Sequence, residues 1–320
     1  MHHIGRVLIT DDVHPTLAKR LESAGYQCEY RPKIHTNEVN QIIVGYTGII
    51  INSKIIVDKA MLDKATLLRF VGRVGSGLEI IDLDYAKQKG VAVYNSPEGN
   101  RNAVAEHALG MLLALANNFL KADTQIRQKN WQREANRGFE LMGRTVGIIG
   151  FGHTGSTFAT KLSGMSVRVL AYDKYKRNYT NNHPHAEECD MSVIFREADI
   201  ISLHLPLTDE TKLMVNTNFI KKFDKPIIVI NTSRGGVVNT ADLIEALHSG
   251  RVAGACLDVF ENEKPETFDT LENDLYQKLY QFDNVILTPH VAGWTQESKK
   301  RLAEVLTDKI LTGHQSVIDS

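Results

Sequence analysis

The stretch "TVGIIGFGHTG", Thr145 to Gly155, constrains the fold more than any other part of the chain. An apolar run ends in Gly150, Gly152 and Gly155 at G-x-G-x-x-G spacing, and a helical pattern follows. Strand, glycine turn and helix in that order open a dinucleotide-binding βαβ unit. Gly150 permits the tight turn, Gly152 lets the backbone approach a pyrophosphate, and Gly155 allows close helix–strand packing. The helix N-terminus then directs amide N–H groups and a partial positive charge at the phosphates. A second apolar run, "VRVLAYD", ends in Asp173, near the offset at which an acid accepts both ribose hydroxyls. An anion there repels a 2′-phosphate, so NAD is favoured over NADP. Lys174, Lys176 and Arg177 follow closely and leave some tolerance of NADP open.

The fingerprint stands in the middle of a 320-residue chain, long enough for two ordinary domains. Strand and helix alternate on both sides of it, which predicts α/β architecture with parallel sheets. Before it, "RVLIT", "GIIINS", "LLRFVGRVGSG" and "VAVYNSP" read as strands. Between them, "HPTLAKRLESAG" and "IDLDYAKQKG" read as helices. "NRNAVAEHALGMLLALANNF" reads as one long helix, apolar over a face broad enough for burial between two layers. From Thr145 the strands are "TVGIIG", "VRVLAYD", "DIISLHLP", "PIIVINTS", "VAGACLDVF" and "NVILTPH". "ENEKPETFDTLENDLYQKL" reads as an irregular loop, and "ESKKRLAEVLTDKILTGHQ" as a closing amphipathic helix.

A formal net charge of -1 gives no electrostatic basis for binding nucleic acid or a membrane. Cys28, Cys189 and Cys256 are scattered, without C-x-x-C spacing, so neither a disulfide framework nor a metal site is expected. The most apolar stretch, Ala108 to Leu120, is too short and interrupted to span a bilayer. The start reads straight into a strand, so no signal peptide and a cytoplasmic protein are expected.

Ligands of open α/β sheets bind at the carboxyl ends of strands. The polar residues just after each apolar run are therefore the candidates. They are His204 and Pro206; Thr232, Ser233 and Arg234; Asp258, with Glu261 and Glu263 beyond; and His290. Arg234, Glu263 and His290 make a coherent set. Arginine grips a carboxylate, histidine exchanges a proton near neutral pH, and a carboxylate beside it stabilises imidazolium. His107 falls inside the long helix and reads as a packed or hydrogen-bonded residue; His183 and His185 flank Pro184 in a polar loop.

With these motifs in place, the chain resembles the D-isomer-specific 2-hydroxyacid dehydrogenase family. The resemblance runs through "GRVGSGLEIIDLDYAKQKGVAVYNSP", "NAVAEHALGMLLAL", "GRTVGIIGFGHTG", "HLPLTDET", "NTSRGGVVN", "LDVFENEKP" and "NVILTPHVAGWT". It implies a Rossmann-type NAD-binding domain, residues 101–290, inserted into a flavodoxin-like substrate domain, residues 1–100 and 291–320. It makes Arg234, Glu263 and His290 the catalytic residues, with Asp258 on the nicotinamide side, orienting the amide or tuning the pKa of the site. It implies cofactor contacts at Ser76, Val104, Gly150, Gly152, His153, Thr154, Gly155, Asp173, His204, Leu205, Pro206, Thr232, Ser233, Arg234, Asp258, His290 and Gly293. Ser53, Val74, Gly75, Ser76, Arg234 and His290 would hold the substrate. The family often has Glu-x-Pro after the phenylalanine loop, and Glu263-Lys264-Pro265 reads as that pattern, with Glu263 as its glutamate.

The implied reaction is hydride transfer between NAD(H) and C2 of a 2-hydroxy or 2-keto acid. "RVGSGLEIIDLDYAKQKGVAVYNSP" is most similar to D-3-phosphoglycerate dehydrogenases, enzymes of serine biosynthesis, in a short form. Lys54, Arg73 and Arg101 are either ordinary surface charges or cations for a phosphorylated substrate. Glyoxylate or hydroxypyruvate reductase and D-lactate dehydrogenase are the alternatives. Some relatives instead act as NAD(H)-sensing corepressors that bind partner peptides. About 30 residues follow His290, so a further regulatory domain of ordinary size is not expected. Family members are usually dimers, so a homodimer is expected, with the helix from Ala108 onward as its interface. Two chain crossings between the domains would make a hinge around a cleft.

Overall fold

The structure, a computed structural model, describes residues 4–263 and 274–313. The chain divides into two compact units, one of Met1–Arg101 with Trp294–Ser320 and one of Asn102–Gly293.

The first unit holds β1 (Gly5–Ile9), β2 (Tyr26–Tyr30), β3 (Gly48–Ile51), β4 (Phe70–Arg73) and β5 (Ala92–Asn95), in the order β2-β1-β3-β4-β5. Every pairing is parallel. This is the flavodoxin-like order. Helices cover both faces, so the central strands are apolar throughout rather than alternating. All four residues of β3, "GIII", are buried. The two-residue period still decides which face each one joins. Ile49 and Ile51 pack with Leu8, Met61 and Val71 on one side. Ile50 packs with Val7, Ile9 and Leu17 on the other. That second face is closed by the helix Gln296–Thr312, which contributes Ala303, Leu306 and Ile310. Arg20 ties the helix Thr16–Ser23 to it through Asp308, at 2.5 Å, and through the carbonyl of Glu304.

The second unit holds β6 (Thr145–Ile149), β7 (Arg168–Tyr172), β8 (Ala186–Glu188), β9 (Ile200–Leu203), β10 (Ile227–Asn231), β11 (Val252–Leu257) and β12 (Val285–Leu287). Their order is β12-β11-β10-β9-β6-β7-β8, again all parallel. Counted from β6 this is 3-2-1-4-5-6 with a seventh strand, the doubly wound Rossmann arrangement. The protein is thus α/β with two parallel-sheet domains. Val229 faces one core with Leu203 and Leu257, while Ile228 and Ile230 face the other with Val146 and Ile148.

Five elements differ from the sequence reading. The long helix runs Pro97–Ala116 and stops before "NNF". Asn118 takes the left-handed conformation (φ 53°), which asparagine tolerates, and the Phe139 N–H captures the Ala116 carbonyl. A separate helix, Phe119–Arg127, leaves at 61°. The strands β2 and β8 are additions at sheet edges, where "YQCEY" and "AEE" lack the apolar signature of a covered strand. The supposed irregular loop ends in a helix, Asp274–Leu279. Lys264 and Pro265 lie outside the described residues. Among the described residues, no single helix is long and apolar enough to cross a membrane.

Candidate active site

In the second sheet the strand order turns back between β6 and β9, the place where such sheets bind ligands. β6 delivers the glycine turn, and β9 to β12 deliver the other polar groups from neighbouring carboxyl ends.

The three glycines have different reasons to be glycine. Gly150 has φ +91°, and a Cβ there would lie 2.4 Å from the carbonyl oxygen of His204. A Cβ on Gly155 would lie 2.1 Å from the Gly150 carbonyl oxygen, so the helix His153–Leu162 packs directly on the turn. A Cβ on Gly152 would meet nothing within 4 Å. The described chain itself does not demand glycine at that position, and the backbone there is open to an approaching ligand. His153 and Thr154 form the first turn of this helix. Asp173 closes the turn from β7. Its carboxylate accepts from the N–H groups of Phe151 (2.9 Å), Tyr175 (3.1 Å) and Lys176 (3.2 Å). A carboxylate has about four acceptor positions, so capacity remains for a ribose hydroxyl. Lys174 is drawn to Glu210 at 2.6 Å. Thr232, just past β10, is buried, and among the described residues its Oγ1 finds no hydrogen-bond partner. An unsatisfied buried hydroxyl is costly and fits a polar ligand passing over the strand end. These features fit a dinucleotide.

Two of the cofactor candidates face differently from the sequence reading. The His204 imidazole turns inward, within hydrogen-bond distance of Ser202 Oγ (2.9 Å) and against the Phe158 ring. Burial lowers its pKa to about 4. Its carbonyl and the Leu205 side chain lie beside Gly150. The Asp258 carboxylate is fully buried and accepts from Thr288 Oγ1 (2.6 Å) and from the N–H groups of Val291 and Ala292 (both 2.9 Å). It is thus engaged by the loop that carries His290 and Gly293.

Two of the proposed catalytic residues, His290 and Glu263, meet. His290 Nδ1 lies 2.7 Å from Glu263 Oε2. The other Glu263 oxygen accepts from the Phe260 N–H at 3.1 Å. Burial pushes the Glu263 pKa up, but the His290 hydrogen bond and charge, the Phe260 N–H and the Arg234 charge outweigh it. The group is held below its ordinary value, ionised beside the imidazole. Arg234 follows Ser233, whose N–H and hydroxyl both donate to Asn231 Oδ1. A Cβ on Gly235 would lie 1.8 Å from the Phe260 carbonyl oxygen, so the arginine turn rests on the loop leading to Glu263. His290 itself has φ 53°, the left-handed region, and its N–H donates to the Asp258 carbonyl at 2.8 Å. Val104 is buried in the helix Pro97–Ala116.

In the first unit, Val74 continues β4 and donates its N–H to the Ile51 carbonyl. Gly75 donates to Ser96 Oγ (3.2 Å), and Ser76 Oγ donates to Asn100 Oδ1 (3.2 Å). A Cβ on Gly75 would lie 1.4 Å from Arg73 Nη1, so the guanidinium covers this loop. Ser53 is exposed. Among the described residues no group of three or more His, Cys, Asp or Glu side chains could hold a metal ion.

Residues 109–292 match the model of the D-isomer specific 2-hydroxyacid dehydrogenase NAD binding domain. A hydroxypyruvate reductase of Thermotoga maritima is 35% identical over 277 residues, covering 87% of this chain and 88% of that one. The chain belongs to this family. Its members are NAD-dependent dehydrogenases, and NAD is its cofactor. It is also 31% identical over 306 residues to the D-3-phosphoglycerate dehydrogenase of Archaeoglobus fulgidus, covering 96% of this chain and 56% of that one. The chain therefore spans about half the length of that relative. The crystal structure of D-lactate dehydrogenase from Aquifex aeolicus, complexed with NAD and lactic acid, superposes with a TM-score of 0.81 at 29% identity, covering 96% of each chain.

His107 and Thr288 escaped the site reading. They sit within the second unit's polar network, His107 Nε2 lying 3.0 Å from Thr288 Oγ1. Only the third dimension brings a mid-helix histidine to a strand end 181 positions away.

Proposed function

We propose that the protein is an NAD-dependent 2-hydroxyacid dehydrogenase in which His290 is the acid–base, Glu263 its partner and Arg234 the substrate anchor. The observation that carries this is the 2.7 Å His290–Glu263 pair. Bound NAD supplies the hydride acceptor or donor at C2 of the substrate. In oxidation, neutral His290 takes the hydroxyl proton at Nε2, because Nδ1 is occupied by Glu263. In reduction, doubly protonated His290 returns a proton from Nε2 to the carbonyl oxygen, and the Glu263 carboxylate stabilises that imidazolium. Arg234 binds the substrate carboxylate or carbonyl oxygen and polarises the reacting carbon.

For the substrate, the reading is D-3-phosphoglycerate and its keto acid, with hydroxypyruvate, glyoxylate and D-lactate chemistry as alternatives. Its support is Arg73, whose guanidinium covers the Gly75 loop. Lys54 is less suited, since it donates to the Pro32 carbonyl and lies 3.8 Å from Asp11. Ser53, Val74, Gly75 and Ser76 remain the proposed substrate contacts of the first unit, in a cytoplasmic homodimer. The test is NADH oxidation with 3-phosphohydroxypyruvate, hydroxypyruvate, glyoxylate and pyruvate. His290→Ala is expected to lose turnover with NADH affinity retained. Arg73→Gln is expected to raise KM about 10-fold or more for the phosphorylated acid alone, the value of one charge-assisted contact. Equal KM changes for all four acids would remove the phosphate assignment. No turnover by the wild type, with NADH still bound, would favour a corepressor-like binding protein.

A further inference from the structure

His290 has a backbone that a side chain-bearing residue rarely adopts, and something must hold it there. The left-handed conformation is unfavourable for a residue other than glycine. The groups flanking His290 all converge on one buried carboxylate. Thr288 Oγ1 lies 2.6 Å from Asp258 Oδ1, the Val291 N–H donates to the same oxygen, and the Ala292 N–H donates to Oδ2. The His290 N–H donates to the main-chain oxygen of the same aspartate. Asp258 is fully buried, so these donors also satisfy a polar group that would otherwise be costly there.

The network has one further member, His107, whose Nε2 also lies 3.5 Å from Asp258 Oδ1. The Asp258 carboxylate accepts from two backbone N–H groups, and the single Thr288 hydroxyl proton lies between the two oxygens at 2.6 Å. The hydroxyl then offers a lone pair to His107, whose Nε2 lies 3.0 Å away and must carry a proton to donate. The hydroxyl's competing acceptor is the Met111 sulfur, 3.8 Å away and weaker. A proton committed to sulfur would leave two oxygens at 2.6 Å with no hydrogen between them. His107 comes from the helix Pro97–Ala116 and Thr288 from just beyond β12, so the network links the helix to the catalytic loop.

We propose that His107 and Thr288 are positioning residues for proton transfer, acting through Asp258 to hold the 288–292 loop and keep His290 against Glu263. The proposal rests on the reading of His290 as the acid–base.

The variants are Thr288→Val, which keeps the shape and removes the hydroxyl, and Thr288→Ser, which restores it. His107→Leu removes the donor, and His107→Gln supplies an amide N–H. The first readout is the downfield imidazole N–H proton resonance of the His290–Glu263 hydrogen bond, measured by NMR on the cofactor-free protein. The second is kcat with the acid of the four above that the wild type reduces fastest, alongside NADH affinity. Thr288→Val and His107→Leu are expected to weaken or lose the resonance and to lower kcat by about 10-fold, roughly 1.4 kcal/mol of barrier. NADH affinity should change less than about two-fold, well under 1 kcal/mol. Thr288→Ser and His107→Gln should recover both signals, and the double variant should be no worse than Thr288→Val alone. An unaltered resonance and wild-type kcat in both disrupting variants, with His290→Ala inactive, would overturn the proposal. So would losses that simply multiply in the double variant. Activity surviving in His290→Ala would instead sink the acid–base reading. If Thr288→Val fails to fold, the His107 pair carries the same test.

Discussion

Glycines spaced alike do different work, and the difference can be measured. Gly155 is glycine because the chain is in the way: its Cβ would lie 2.1 Å from a carbonyl oxygen that belongs to the turn. Gly155→Ala is expected to lower stability by about 1–3 kcal/mol, the usual range for forced overpacking. Gly152 has open space around it, so Gly152→Ala should melt within about 0.5 kcal/mol of wild type. Its NADH affinity should still fall, because the methyl stands where the pyrophosphate must approach. Melting curves and fluorescence titration with NADH separate the two effects; Gly152→Ala binding NADH at wild-type affinity would count against the phosphate role. His204 offers a second residue-scale measurement. Its pKa is about 4 in the fold against 6.5 for the free side chain. Because the folded value is the lower one, its contribution to stability is complete above pH 6.5. It drains away as pH falls towards 4, where the unfolded chain binds a proton that the fold rejects. Between pH 7 and pH 5 the wild type should lose about 2 kcal/mol more than His204→Asn in chemical denaturation. Equal losses would show that the imidazole is not held neutral.

At the scale of elements, legibility follows burial. Strands covered on both faces were readable because their composition is forced: "GIII" and "IIVIN" are buried at every position. The edge strands β2 and β8 were not, since one side of an edge needs no apolar partner and their residues are mixed. The helix Pro97–Ala116 was recognisable by its apolar content, but its end was not. "NNF" continues the pattern acceptably, and what stops it is a residue from outside the helix, the Phe139 N–H that takes the Ala116 carbonyl. Site residues behave the same way. Arg234, Glu263 and His290 stood out because each follows an apolar run. Thr288 was hidden inside "VILTPH", and His107 inside a helix where a bland reading was the natural one.

For the whole molecule, the proposed homodimer has a surface argument. Phe119, Leu120, Ile126, Trp131 and Met142 are each more than half exposed, and all fall within one short stretch of chain. Exposed apolar groups in such density commonly mark an interface. Light scattering on the eluted protein should give twice the monomer mass, and Ile126→Glu should reduce it to one; a wild-type monomer would remove this part of the proposal. What the amino-acid order determined alone was the alternation of strand and helix, the glycine turn with its acid, and the polar residues at strand ends. These are local, because period, turn chemistry and strand termini are properties of neighbouring residues. Which way those residues face was decided only by tertiary structure. Asp258 and His204 look alike in the sequence, each a polar residue after an apolar strand. One is swallowed by the loop bearing His290 and the other by Ser202 and Phe158. The reason is that hydrogen-bond satisfaction of a buried group is settled by whatever the fold brings beside it, and for Asp258 that includes a threonine 30 residues away.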